Sequence, residues 1–374
     1  MKFYKIAFTI KLISFLLAVS TLSYAGVQSG DSLRMIPKPA DGPLEVRTNF
    51  HLIDITNVDE PSEEIEFEGT IVLKWSDPRQ AYDPAELGLY TIEQGEILAR
   101  APFRVYQGDF AVKEVYQGWR PHIKIPNGIG DRSINHMAIG VYPDGTVVYA
   151  EYFHAQVETP MDLRTFPFDS QRLEVYLHPY NYQNNEVVLV NEPGMQGTWE
   201  QDKGIAEWTK QGINIRDNTA EYVRAGGYKQ HYSELVVDIN ISRRPGHILF
   251  SIVLPLLILV ALSWCVFWMD EETIASRVNI SLVGILSVVA YYFVILGNVP
   301  KIPYLTMMDA FMISTFLTLA ATVVISFVVE KQNRAGRKRL GDKIDYVCRW
   351  AFPLGYVMIT GLIVLVYMSM DRIQ

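Results

Sequence analysis

Four apolar runs close the chain, and no other feature limits its fold as strongly. Ile248–Met269 and Val278–Val299 hold no charged residue, while Tyr304–Val329 and Tyr346–Met370 hold one each, Asp309 and Arg349. Each reaches the roughly 20 residues that an α-helix needs to cross a bilayer core, where backbone polar groups must be satisfied within the segment. Short polar links join the runs, so they form an antiparallel bundle with helices expected at about 246–269, 274–297, 304–329 and 345–370. At the other end, Lys2, Lys5 and Lys11 precede a short apolar stretch that stops at the small residues Ser23 and Ala25, the layout of a secretory signal peptide over residues 1–25. Export of the segment that follows places the links 270–276 and 330–345 in the cytoplasm. The second link, EKQNRAGRKRLGDK, is rich in Lys and Arg as the positive-inside rule expects.

Charge divides the chain at the same place as hydropathy. Residues 26–242 carry 18 Lys and Arg against 33 Asp and Glu, a net of −15, whereas residues 243–374 carry 12 against 8, a net of +4. A domain this acidic concentrates cations at its surface and is a poor partner for nucleic acid. The two cysteines, Cys265 and Cys348, lie in apolar runs and offer no disulfide framework.

Within residues 26–242 the dominant pattern has period two. In EIEFEGTIVLKW, Ile65, Phe67, Ile71, Leu73 and Trp75 share one face, with Glu64, Glu66, Glu68 and Lys74 on the other; LEVYLHPY and ELVVDINI repeat the alternation of half-buried strands. Turn chemistry such as Pro143-Asp144-Gly145 separates them. The fold class that follows is an α+β membrane protein, an N-terminal extracellular antiparallel β-sandwich (26–242) followed by a four-helix transmembrane bundle (243–374). Catalytic constellations are missing. There is no Gly-rich phosphate loop, the seven histidines are scattered with no partner at i+4, and neither a metal site nor a cofactor is expected. The chain does not read as an enzyme.

Several motifs then coincide in order. Trp75-Ser76-Asp77-Pro78-Arg79 reads as W-x-D-x-R, Trp119-Arg120-Pro121 as W-x-P, and the loop Thr159–Leu173, TPMDLRTFPFDSQRL, contains F-P-F-D. The basic pair Arg243-Arg244 precedes a helix containing Pro255. The set resembles the pentameric ligand-gated ion channels of the Cys-loop superfamily over residues 30–374. Thr159 and Leu173 stand in place of the two loop cysteines of animal members, and the third and fourth helices are joined by a short link, both as in the prokaryotic branch. The tracts ALSWCVFW, VVAYYF and VPKIPYLT are most similar to the Erwinia-type channel of that branch.

The resemblance implies five identical subunits around a pore lined by the second helix. Counting from Pro300 puts Asn279, Val283, Leu286, Ala290 and Phe293 on the pore face, with Leu286 and Phe293 as apolar rings able to block ions by dewetting. At the cytoplasmic mouth, Ala275-Ser276-Arg277 stands where cation channels usually carry a carboxylate. Ser276 and Glu272, beside Asp270 and Glu271, are then the lining candidates, and monovalent cations the expected permeant ions. The ligand site is expected between outer domains, on Tyr180, Tyr222, Tyr232 and His178, with Tyr182 and Tyr152 as further aromatic candidates; aromatic faces suit a ligand cation. Pro126 stands where many members have a tyrosine after W-x-P, and His178 and Ala150 replace polar or acidic groups that hold primary amines in the Erwinia-type channel, so either a small-molecule agonist or proton exchange remains open as the trigger. Coupling to the pore is expected through Asp59, Glu60, Phe166, Pro167, Phe168, Asp169, Arg243, Arg244, Pro300 and Lys301. In this reading the F-P-F loop presses on the link NVPKIPY, and Asp169 faces the Arg243-Arg244 pair. The implied setting is a bacterial inner membrane, with lipid around the bundle and both the N-terminal domain and the C-terminus on the periplasmic side. The alternative is a non-conducting, membrane-anchored β-sandwich sensor or scaffold.

Overall fold

In the computed structural model, residues 32–39, 41–83, 103–192, 206–223, 227, 229–269, 274–297 and 302–371 are described. Alternation of apolar and polar residues organises the first part into strands: β1 (Leu44–Asp59), β2 (Glu64–Ser76), β3 (Arg104–Gln107), β4 (Ile123–Lys124), β5 (Ser133–Val141), β6 (Thr146–Glu158), β7 (Ser170–Pro179), β8 (Val187–Asn191), β9 (Trp208–Val223) and β10 (Lys229–Arg243). They build two sheets, ordered β3-β5-β6-β2-β1-β8 and β4-β7-β10-β9. One pair departs from the antiparallel expectation, since β8 runs parallel to β1 with Leu44 opposite Val187. A parallel pair needs a long crossover, and here the connection passes through all the strands from β2 to β7.

The sandwich core lies between the two sheets. Ile65, Phe67, Ile71 and Leu73 of β2 are fully buried, facing Leu173, Val175 and Leu177 of β7 and Leu235, Val237 and Ile239 of β10 in one cluster. Phe67 meets Phe50 and Phe153 edge-on at centroid separations of 6.1 and 5.9 Å, a geometry worth about 0.5–1.5 kcal/mol beyond burial. The tryptophans of the two W motifs, Trp75 and Trp119, also meet edge-on, at 5.7 Å. Asp77 accepts from Arg79 Nε at 2.7 Å and from Gln80 Nε2 at 2.8 Å. Arg79 also donates to the carbonyls of Ser32 and Met35, tying the N-terminal segment to the sandwich. Gly145 serves this corner: its φ is +84°, and a Cβ there would lie 2.7 Å from the Asp77 carbonyl oxygen.

Four helices follow, each long and apolar enough to cross a membrane: α1 (Gly246–Trp268), α2 (Ile274–Leu296), α3 (Met307–Arg334) and α4 (Lys338–Asp371). A wide π turn over Leu249–Val253 precedes Pro255 in α1, where the missing N–H interrupts the ladder. Thr306 and Asp309 form a capping box at the start of α3, each side chain accepting from the other's backbone N–H at 3.0 Å. The lone carboxylate of this run therefore serves its end. α3 continues past the expected residue 329 and α4 begins ahead of the expected residue 345. Hydropathy marks where a helix leaves lipid, whereas Glu, Lys, Arg and Gln in the link favour helix on their own account. The turn itself is confined to the residues around Gly336, whose φ is +74°.

Small and hydroxyl-bearing residues mediate the helix contacts, as is usual inside membranes. Ser281 on α2 and Thr322 on α3 approach to 2.9 Å, and Thr315 on α3 and Tyr356 on α4 to 2.8 Å. Gly284 lets Leu319 come so close that a Cβ would meet its Cδ2 at 3.3 Å. At the cytoplasmic end, Arg277 of α2 pairs with Asp345 of α4 at 3.0 Å and donates to the Met269 carbonyl at 2.8 Å. Both ionic side chains are buried. Asp345→Ala is expected to cost about 3–5 kcal/mol by leaving the guanidinium uncompensated, read as a lower thermal midpoint in detergent. Arg277→Met with Asp345→Leu is expected to restore most of it.

Candidate ligand, coupling and pore sites

At the outer end of the smaller sheet, strand register assembles an aromatic cluster. Lys124 stands opposite His178, Tyr232 opposite Ala220, and Gln230 opposite Tyr222, so alternate side chains converge on one face. The His178 ring stacks on Tyr232 at 5.3 Å and meets Tyr222 edge-on at 5.5 Å. It is only 7% exposed. Burial, reinforced by the Lys124 cation, pushes its imidazole down to about 4, so the ring is neutral near pH 7, and its Nδ1 makes no hydrogen bond among the described residues. Tyr180 is half exposed beside it, with Lys124 Nζ 5.8 Å from its ring centre. Beneath the hairpin, buried Glu234 accepts from Asn218 Nδ2 at 2.8 Å and shares a hydrogen bond with Tyr222; desolvation moves both the carboxyl and the phenol up.

Two expected aromatic residues lie apart from this cluster. Tyr182 accepts from Trp119 Nε1 at 2.9 Å and packs on that ring. Tyr152 is on β6 in the other sheet, where it stacks on His136 and donates to Glu68 Oε2 at 2.6 Å. A single chain therefore gathers His178, Tyr180, Tyr222 and Tyr232, and presents Tyr152 on a separate face.

The second group sits where the sandwich becomes the bundle. Arg243, the last residue of β10, is 7% exposed. Its Nε donates to Asp169 Oδ1 at 2.7 Å and its Nη1 to Glu60 Oε1 at 2.6 Å. The guanidinium also lies 4.2 Å from the Trp208 ring centre and 4.8 Å from that of Phe166. Desolvation raises the pKa of Glu60, with Arg243 acting against the shift. Asp59 ends β1 opposite Glu64. Only half of the basic pair meets the expectation: Arg244, one residue past the end of β10, turns away, donating from Nε to Thr209 Oγ1 at 2.8 Å, because successive residues of an extended chain face opposite sides.

The F-P-F loop is likewise split. Phe166 and Pro167, joined by a cis bond, are buried, whereas Phe168 is 37% exposed. Phe166 thus packs against Arg243 of its own domain, while residues 298–301 of the link on which the loop is expected to press lie outside the described residues. The loop does reach the bundle through its backbone: Leu163 N donates to Tyr304 Oη at 3.2 Å, and Met307 N to the Arg164 carbonyl at 2.8 Å. A cleft of about 550 Å³ opens beside it, lined by Glu60, Phe166, Arg243, His247, Tyr291 and Ile295 among others. Glu272, Pro300 and Lys301 lie outside the described residues.

On α2, Arg277, Ser281, Gly284, Val288 and Ile295 turn inward and are buried. The opposite face carries Asn279, Val283, Leu286, Ala290 and Phe293, all exposed, with Leu286 at 71% and Phe293 at 68%. Ser276 is half-buried at its start.

Sequence reading missed several partners. Glu151 is buried on β6, accepting from Tyr149 Oη at 2.6 Å and from Arg132 Nε at 2.9 Å, and Arg132 also donates to the Ile123 carbonyl. The available signal was a carboxylate in register with the buried Val147, Tyr149 and Phe153. Lys124, Glu234, Trp208 and Asp345 carried no such mark.

A family model described as the neurotransmitter-gated ion-channel ligand binding domain matches residues 31–245. The chain is 27% identical to a proton-gated ion channel of Gloeobacter violaceus over 86% of this chain and 83% of that protein. It is 24% identical to pH-sensitive chloride channel 2 of Drosophila melanogaster, over 79% of this chain and 56% of that one. With a glutamate-gated chloride channel of the same fly it shares 23% identity, over 80% and 61%. These relatives are channels, not enzymes. With its extracellular β-sandwich domain and four apolar helices, the chain is a multi-pass membrane protein that belongs to the neurotransmitter-gated ion-channel family.

Proposed function

We propose that the chain is one subunit of a homopentameric, cation-selective channel of a bacterial inner membrane, gated from the outer face of its sandwich domain. The observation that carries this reading is the stripe Asn279, Val283, Leu286, Ala290 and Phe293, left uncovered on α2 by the chain's own bundle. Five copies around an axis turn Leu286 and Phe293 into apolar rings that exclude water and ions when the bore narrows, and Asn279 into a polar constriction. Cation selectivity is supported by the net charge of −15 on residues 26–242. It is supported also by Arg277, whose charge is spent on Asp345 rather than offered to the bore. Glu272 and Ser276 then complete the cytoplasmic mouth, with lipid around the bundle and the C-terminus on the periplasmic side. In this reading residues 1–25 are removed on export, the sandwich spans 26–242 and the pore domain 243–374. Within the family, the chain stands with the prokaryotic, Erwinia-type branch.

The agonist site is the cluster of His178, Tyr180, Tyr222 and Tyr232, closed by the Tyr152 face of a neighbouring subunit, with Tyr182 behind it. Ligand binding there favours one of two quaternary states. Coupling runs through Asp59, Glu60, Phe166, Pro167, Phe168, Asp169, Arg243 and Arg244 to the Pro300–Lys301 link. A second trigger, proton exchange, is favoured by the buried neutral imidazole of His178 and the raised pKa of Glu60. One relative is named as proton-gated and another as pH-sensitive.

Currents from reconstituted protein across a KCl gradient, recorded while external pH and small ligands are varied, test the channel and its selectivity together. Reversal near the potassium potential is expected, and Leu286→Ala should raise the current at rest. Reversal at the chloride potential contradicts cation selectivity. Pentamers that never conduct would mean a scaffold.

The His178 shift has a definite sign. Between its ordinary value of 6.5 and about 4, the unfolded chain takes up a proton that the folded site refuses, so stability falls as pH drops through that window. Thermal midpoints in detergent should therefore fall less on acidification for His178→Gln than for the parent protein.

A further inference from the structure

We propose that the ligand of the His178 cluster is a small organic anion, a carboxylate on an apolar or aromatic body, rather than an amine. The inference rests on the reading of this cluster as a ligand site, and two observations give it direction. Lys124, opposite His178 in the register, has no carboxylate partner among the described residues, and its Nζ lies over the Tyr180 ring. His178, more than nine-tenths buried between Tyr222 and Tyr232, holds a polar Nδ1 that no described residue satisfies.

The negative groups on the same face are already engaged. Glu234 is buried and occupied by Asn218 and Tyr222. Further along the sheet, Glu174 and Asp238 both pair with Arg216, while Tyr176 donates to Glu174. Glu221 pairs with Lys229. An ammonium entering between the tyrosines would meet their ring faces but no free carboxylate among the described residues of this face, and would be repelled by Lys124. A carboxylate meets the lysine directly, gaining a charge-assisted hydrogen bond. Its apolar body meets the ring faces of the exposed Tyr180 and Tyr222, and the imidazole Nδ1 is the polar atom beside them left to pair with a ligand group.

Three probes of one shape and different charge separate the possibilities: benzoate, benzamide and benzylamine, titrated at neutral pH against the full chain in detergent by calorimetry or ligand-observed magnetic resonance. Benzoate is expected to bind more than about tenfold tighter than benzylamine. Lys124→Gln should weaken benzoate roughly ten- to a hundredfold, the loss expected for one hydrogen bond to a charged group. Benzylamine, freed of the repelling charge, should bind Lys124→Gln no more weakly than the parent protein, and Lys124→Arg should restore benzoate. Tyr222→Ala is expected to weaken all three. Benzylamine binding as tightly as benzoate, benzoate binding indifferent to Lys124→Gln, or no binding of any probe would overturn the proposal. Conduction without benzoate binding removes this inference and leaves the channel reading standing; benzoate binding without conduction does the reverse.

Discussion

A single guanidinium sits at the point where the sandwich becomes the bundle. Arg243 ends β10 three residues before α1 begins, and two carboxylates from different loops, Glu60 and Asp169, converge on it. Burying three charges is expensive, and the desolvation is offset only while all the hydrogen bonds are made. Phe166 and Trp208 add their ring faces on either side, and Gln171 holds the second Asp169 oxygen at 2.6 Å. If either loop moves without the other, a buried charge loses its partner. The junction is therefore expected to shift as one body, which suits it to carry a change of state between two domains.

The helix proposed to line the pore, α2, is held by similar constraints at its other end. Arg277 clamps the cytoplasmic end of α2 to α4, and Ser281 and Gly284 seat it on α3. These contacts claim one face of the helix, and a period of 3.6 residues leaves Leu286 and Phe293 on the opposite one. The exposed stripe is thus a by-product of where the small and ionic residues were placed.

Much of this architecture was legible in the residues. The four helices follow from apolar length, and the sandwich follows from strict alternation in segments such as β2, where every second side chain is buried. Motif order brought Asp169 and Arg243 together on paper, and the fold joins them. Less visible was which member of the Arg243-Arg244 pair would turn inward, since that depends on strand register and not on composition. Phe166 and Phe168 part for a related reason, because the turn between them sets their directions. Long-range partners such as Asp345 for Arg277, 68 residues apart, leave no local trace. The charge beside the tyrosines left the least trace in the sequence. Three tyrosines suggest a cation, and only the cross-strand pairing reveals that Lys124 shares their surface.

The central claim is that Arg243 and Asp169 act as one coupling element between the outer site and the pore. A double-mutant cycle on Asp169→Asn and Arg243→Lys, reading the agonist or proton concentration for half-activation in surface-expressed channels, tests it most directly. The account predicts shifts that fail to add, with an interaction energy of about 0.5–3 kcal/mol, as for residues in direct contact. Shifts that add to within about 0.3–0.5 kcal/mol, in channels that still assemble and conduct, would contradict it.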